Sequence, residues 1–199
     1  MPKRKLTANL ESMYPISAAL KDLLENGNIF RKQILKKKDT LLMPNMKVNE
    51  VHYMVKGLGK ALWKNQDNEE EIFYLFDDDS FVVLLEEFLE GLLNESVYIV
   101  MLEESELYTL TKTQMDEIYR KYPEAVHLTA AIRILIQKRR DLHLSILMKK
   151  PALRYALFVK GYRNLHARMS VKEICTFLCI CEKTYKTSKR EMYLKSRKR

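Results

Sequence analysis

The chain has 199 residues, 47% of them hydrophobic and 31% charged, enough to bury a core in one large domain or two small ones. No apolar run approaches the roughly 20 residues of a membrane span. The basic start MPKRKLTANLESMYP has no apolar stretch of the kind a secretory signal carries, and three clustered cysteines make a poor disulfide framework, so the cytosol is the expected compartment. The net charge of +9 is unevenly spread. From Lys149 onward fifteen Lys/Arg face only Glu173, Glu182 and Glu191, a balance of +12 that leaves −3 for the preceding 148 residues. Within those, Gln66 to Thr111 holds fourteen acidic residues and no Lys or Arg. Such asymmetry points to two domains, the C-terminal one facing a polyanion.

In chain order, Ile16, Leu20 and Leu23/Leu24 recur at helical spacing and stop at Asn26-Gly27, which predicts one short amphipathic N-terminal helix. From Ile34 to Leu110 the texture changes to short apolar or alternating runs: TLLM, EVHYMVKG, KALW, EIFYLF, SVYIVML and ELYTL. Turn residues separate them, and that spacing predicts an antiparallel sandwich or roll. Phe81 to Leu93 interrupts the series with the acid/apolar mixture of a helix. After Thr111 the piece QMDEIYRKYP leads into a long helix from about Pro123 to Met148. Along it Leu128, Ile132, Leu135, Leu142 and Ile146 follow a 4,3 spacing with Arg139 on the same seam. That seam packs either on the chain's own core or on a second copy, and for a helix joining two domains the dimer is the expectation. Pro151 marks a boundary, and ALRYALFVKGY begins the basic domain.

The segment MSVKEICTFLCICEKTYKTSKREM, residues 169–192, is the most informative. Ser170 and Glu173 spell a capping box flanked by Met169 and Ile174 as a hydrophobic staple, so a helix starts at Val171. Cys179-Ile180-Cys181 is only long enough for a tight turn. A second helix starts near Glu182, with Tyr185 and Met192 inward and its lysines mostly outward. Two short helices, a three-residue turn and a basic second helix make a helix-turn-helix. Each cysteine then has a structural role: Cys175 as a small residue where helices cross, Cys179 in the turn, Cys181 as the cap of the second helix. Their C-x3-C-x-C spacing is not that of a zinc ribbon or finger, and nothing in the spacing favours His166 as a fourth ligand. No resident metal or cofactor is expected.

Roll, long helix and C-terminal helix-turn-helix, in that order, resemble the cAMP receptor protein (CRP/FNR) superfamily of bacterial transcriptional regulators from about Phe30 to Met192. The pieces that carry the likeness are MVKGLGKALW, IVMLEESELYTLTKTQMDEIYRKYP and MSVKEICTFLCICEKTYKT. The middle piece is similar to the short members found in many bacteroidete genomes. The resemblance implies a homodimer on the long helix and a sensory roll that controls a DNA-binding head, with RNA polymerase as a further candidate partner.

The chain departs from that pattern in several places. Members that bind cyclic nucleotides have Gly-Glu at a short helix start and Arg-Ser or Arg-Ala on the next strand. Here those positions fall near Leu84-Leu85 and Glu95-Ser96. A cyclic phosphate needs backbone donors and a cation, whereas an acid opposite it is repulsive by about 4 kcal/mol at about 4 Å. Cyclic AMP is therefore not the expected effector, and the effector is left open. The four-cysteine cluster of iron–sulfur members is absent, and His52 and His127 are isolated, which disfavours haem. In the head, Cys179 stands where family turns have Gly. The recognition helix has Glu182-Lys183 and Lys186-Thr187 where Arg or Glu and then Ser-Arg or Gly-Arg are usual. Nine residues follow Arg190, too few for a C-terminal wing, though KSRKR can touch phosphates.

The expectation is an α+β chain: an antiparallel β-roll of the jelly-roll (double-stranded β-helix) type over residues 1–113, a helical linker and long dimerisation helix over 114–148, and an all-α helix-turn-helix head over 149–199. It would be a dimeric regulator of double-stranded DNA, not a membrane protein and not an enzyme, since no nucleophile–base pairing, phosphate loop or metal motif is present. Its DNA-binding residues would be Lys183, Thr184, Lys186, Thr187, Lys189 and Arg190, and its dimer contacts Leu128, Ile132, Leu135, Leu142 and Ile146. An interaction module without sequence-specific DNA binding, and a thiol- or metal-responsive regulator, are the alternatives.

Overall fold

Two helices, not one, open the chain in the computed structural model, which describes residues 2–196. They are α1 (Pro2–Met13) and α2 (Ala18–Asn26). Ser17 caps α2 by accepting from the Leu20 N–H at 3.2 Å, so Ile16 lies before the helix and not in it. The charge-rich α1 exists because it buries Leu6 and Leu10, a packing that its local sequence does not announce.

Eight strands follow: β1 (Arg31–Leu35), β2 (Thr40–Leu42), β3 (Glu50–Lys56), β4 (Gly59–Lys64), β5 (Glu70–Phe76), β6 (Ser80–Val82), β7 (Tyr98–Met101) and β8 (Ser105–Thr111). They form two four-stranded sheets in the orders β1-β8-β3-β6 and β2-β7-β4-β5, the interleaving of a jelly roll. β8 sits between β1 and β3, antiparallel to both, and His52 lies opposite Thr109 and Val82. Gly57 ends β3 at φ +141°, where a Cβ would stand 2.5 Å from that of Ser105, so no larger residue fits.

The expected helix over Phe81–Leu93 is shorter. Phe81 and Val82 pair with Tyr53 and His52 in β6, and α3 covers only Leu85–Glu90 before Gly91 turns left-handed at φ 69°. Helices α4 (Lys112–Lys121), α5 (Glu124–Leu147), α6 (Pro151–Gly161), α7 (Leu165–Arg168), α8 (Val171–Leu178) and α9 (Glu182–Ser196) complete the described chain. A Thr111/Gln114 capping box starts α4 two residues ahead of the expected QMDEIYRKYP piece. Among the described residues no helix is long and apolar enough to cross a membrane.

The chain divides into two compact units. One holds residues 1–61 and 75–137; the other holds 62–74 and 138–199, so the outer part of the β4–β5 hairpin belongs with the C-terminal helices. In the first unit, Leu6, Leu10, Leu20 and Leu24 of α1 and α2 pack with Tyr53, Leu110, Ile118, Ala125 and Leu128. This is helix-on-sheet burial, worth roughly 1.5–3 kcal/mol for each large apolar side chain. A second cluster, Val48, Val83, Leu84 and Phe88, fills the space beside α3.

Candidate nucleic-acid interface

The helix-turn-helix segment folds as its local signals dictate. Ser170 accepts from the Glu173 N–H at 3.3 Å while the Glu173 carboxylate accepts from the Ser170 N–H at 2.7 Å, and α8 begins at Val171. Met169 and Ile174, the staple pair, are both buried, as are Phe177 and Leu178. Cys179 takes the left-handed conformation, φ 49° and ψ 53°, at a cost of about 1 kcal/mol. The Tyr185 N–H donates to the Cys181 carbonyl at 3.0 Å as α9 starts.

Long-range contacts hold this pair of helices. The Arg154 guanidinium of α6 donates to the Leu178 and Cys179 carbonyls at 3.0 and 2.8 Å, closing the C-terminus of α8. Ser188 donates to the Ala152 carbonyl at 2.9 Å, and Tyr185 meets Tyr155 edge-on at 4.9 Å between centroids. Burial beside Tyr185 pushes the Tyr155 phenol up to about 12, so it stays neutral. His143 stacks on Phe177 at 3.8 Å, with Nε2 2.7 Å from the Phe177 carbonyl and Nδ1 3.2 Å from that of Phe73. Burial lowers its pKa. A neutral imidazole has one N–H for these two acceptors, and the 2.7 Å contact is the better placed to take it.

The inward face of α9 is Tyr185, Ser188, Lys189 and Met192, at i, i+3, i+4 and i+7. Lys183, Lys186, Thr187 and Arg190 take the same spacing on the opposite, exposed face. Four of the six expected contact residues are thus brought together. The other two stand apart: Thr184 is half-buried with its hydroxyl 3.3 Å from the Cys181 thiol, and Lys189 lies over the Tyr185 ring at 5.6 Å. Lys186 pairs with Glu182 at 3.6 Å on the open surface, a weak tie that another anion can displace. Of the basic tail KSRKR, residues 197–199 lie outside the described residues. Sequence reasoning missed Arg154, whose partners lie about one helix-turn-helix away in the chain.

The thiols are all free, Cys175 buried and Cys179 and Cys181 exposed. Burial raises the Cys175 pKa, and hydrogen bonds from the Thr184 hydroxyl and neighbouring N–H groups lower that of Cys181. Among the described residues no three His, Cys, Asp or Glu side chains are grouped to hold a metal ion.

The expected dimer seam divides by burial. Leu128 and Ile146 are buried inside the chain, Ile132 packs on the first unit's core, and Leu142 is half-buried beside Gly161. Leu135 is 43% exposed. Arg139 lies 5.2 Å from the Tyr162 ring of its own chain, a cation–π contact. On the other side of α5, Val126 and Ile134 are each 56% exposed, with exposed Ala130 between them.

At the positions matched to Gly-Glu and Arg-Ser, Leu84 precedes α3 without a side-chain cap, Glu86 and Glu87 occupy the helix's first turn, and Glu95 and Ser96 are exposed. Beside them is a cavity of about 50 Å³ lined by Val82, Val83, Leu84 and Ile99, among others. Ligand pockets run to roughly 300–1,000 Å³, and this one is far smaller.

No protein-family model matches the chain, and no curated protein does. Solved structures do. The chain is similar to FixK2 from Bradyrhizobium japonicum, at 11% identity over 84% of this chain and 86% of that one, with a TM-score of 0.73. It is similar to a Eubacterium rectale protein assigned to the CRP/FNR family of transcriptional regulators, at 14% identity over 93% and 89%, TM-score 0.68. A CRP-family transcriptional regulator from Thermus thermophilus, TTHB099, aligns at 16% identity over 82% and 85%, TM-score 0.63. At these identities the likeness is one of fold. The chain has the CRP/FNR-type fold, an antiparallel β-roll, a long helix and a C-terminal helical unit with a helix-turn-helix.

Proposed function

We propose that the protein is a DNA-binding transcriptional regulator of the CRP/FNR type, acting as a homodimer in the cytosol. The observation that carries this reading is the exposed face Lys183, Lys186, Thr187 and Arg190 on the second helix of a helix-turn-helix, in a segment with a +12 balance. Such a helix enters the major groove, and its lysines gain affinity by releasing counterions from phosphates. The roll is residues 1–113, the helical linker 114–148 and the head 149–199. The dimer contact runs along α5 through its exposed side, Val126, Ala130 and Ile134, because Leu128 and Ile146 are already buried within the chain. The roll does not take a cyclic nucleotide: Glu86 and Glu87 open α3 where a phosphate would need donors free of competing charge, and no Arg stands at Glu95.

Genome-wide capture of bound DNA followed by gel-shift titration tests the reading. Discrete sites bound far more tightly than random DNA support it. Uniform weak binding, or none, would assign the head to protein contacts. Calorimetric titration with cyclic AMP and cyclic GMP should give no 1:1 isotherm at micromolar levels.

A further inference from the structure

Protein interiors have few voids larger than a water molecule, yet the first unit has a partly open apolar pocket of about 90 Å³. It lies in the layer where α1 and α2, with α4 and the start of α5, cover the β1-β8-β3-β6 sheet, and Leu10, Leu24, Tyr53, Ile118, Ala125 and Leu128 are among its walls. No Asp, Glu, Lys or Arg lines it.

Most of its polar lining groups are already committed. The Tyr119 and Thr129 hydroxyls are 2.8 Å apart, and Thr129 donates to the Ala125 carbonyl at 3.0 Å. Tyr53 donates to the Asp79 carboxylate at 2.9 Å, and His52 Nδ1 is 2.8 Å from the Thr109 hydroxyl. A water molecule there would find few of the two to four partners it needs, so the space favours an apolar occupant over solvent. A dry cavity of about 150 Å³ lined by Leu, Ile and Phe binds benzene or xenon; this one is smaller, which caps the ligand at a single ring or a short chain.

We infer that this cavity is a binding site for a small, uncharged, apolar molecule of single-ring or short-chain size. It goes beyond the regulatory reading and does not depend on DNA binding. Ala125, Leu128, Thr129 and Ile132 of α5 all line it, so an occupant bears directly on the buried side of the long helix.

The test uses the full chain with benzene as the neutral probe and benzoate as its charged counterpart, read by methyl NMR and thermal melting. Saturable shifts at Leu10, Leu24, Ile118 and Leu128 with benzene, a raised melting temperature and no response to benzoate are expected. Ala125→Leu, which fills the space, should weaken the benzene response at least tenfold. Leu128→Ala, which enlarges it, should strengthen the response and serves if the first variant does not fold. Absence of any benzene response in the unmodified chain, an equal response in Ala125→Leu, or equal binding of benzoate would each overturn the inference.

Discussion

Arg154 of α6 holds the carbonyl of Cys179 at 2.8 Å, and Cys179 is the residue that bends left-handed between the two helices of the helix-turn-helix. A cation thus satisfies carbonyls that the end of α8 leaves without helical partners, just where the backbone pays its conformational cost. Hydrogen bonds to a charged group contribute about 1.5–3 kcal/mol. Partial exposure of Arg154 places Arg154→Met toward the lower part of that range. Urea unfolding followed at the C-terminal unit should show the loss. Cys179→Gly should raise stability by up to about 1 kcal/mol, since Gly takes this conformation without the Cβ clash. A Cys179→Gly variant of lower stability would mean that the turn needs the thiol.

The exposed face of α9 makes a second expectation concrete. Lys183→Ala should cost about 1–3 kcal/mol on a specific site and relax preference at one base position. Lys186→Ala or Arg190→Ala should weaken all DNA alike and reduce the salt slope by about one. Lys189→Ala should do less, because its ammonium lies over Tyr185. Cys175→Ala and Cys181→Ser should leave binding nearly intact. If both cysteine variants lose DNA while remaining folded, the thiols take part in function.

The dimer contact is tested by a pair of substitutions on opposite sides of α5. Ile134→Asp should give a folded monomer in sedimentation velocity, since the side chain is 56% exposed in the single chain. Leu128→Asp should unfold the first unit, since Leu128 is 5% exposed within its core. An Ile134→Asp protein that stays dimeric would move the contact elsewhere.

His52 makes stability depend on pH in a definite direction. Burial lowers its pKa from 6.5 to about 4, so between those values the unfolded chain binds the extra proton and the folded chain does not. Stability from this group is therefore complete above about pH 6.5 and is lost as pH falls toward 4. The full shift corresponds to about 3 kcal/mol. Burial also lowers the His143 pKa, which acts in the same direction. Denaturant titrations from about pH 7.5 to about 4.5 should fall less steeply for His52→Gln than for the unmodified protein. Equal slopes would show that the ring is solvated in solution.

What the sequence determined alone has its partners within a few residues. The Ser170–Glu173 box, the turn at 179–181, the start of α9 and the ends of α5 and α6 depend on backbone groups a turn away, so spacing suffices to read them. The order of roll, long helix and helix-turn-helix followed from those pieces and from the change of texture at Thr111. The tertiary structure decided what covers each apolar face. Periodicity marked Leu128, Ile132 and Ile146 as one stripe, but a stripe is equally satisfied by its own chain or by a second copy, and Leu128 and Ile132 went to the roll's helix-covered sheet. α1 and the three-residue β6 are stable only against residues far along the chain, Leu6 beneath α2 and Val82 opposite His52. Arg154 could be read as one more lysine-like surface charge until folding brought Leu178 and Cys179, 24 and 25 residues on, to its guanidinium. Short-range hydrogen bonds leave a local pattern in sequence, whereas burial is shared among distant residues and is settled only when the whole core closes.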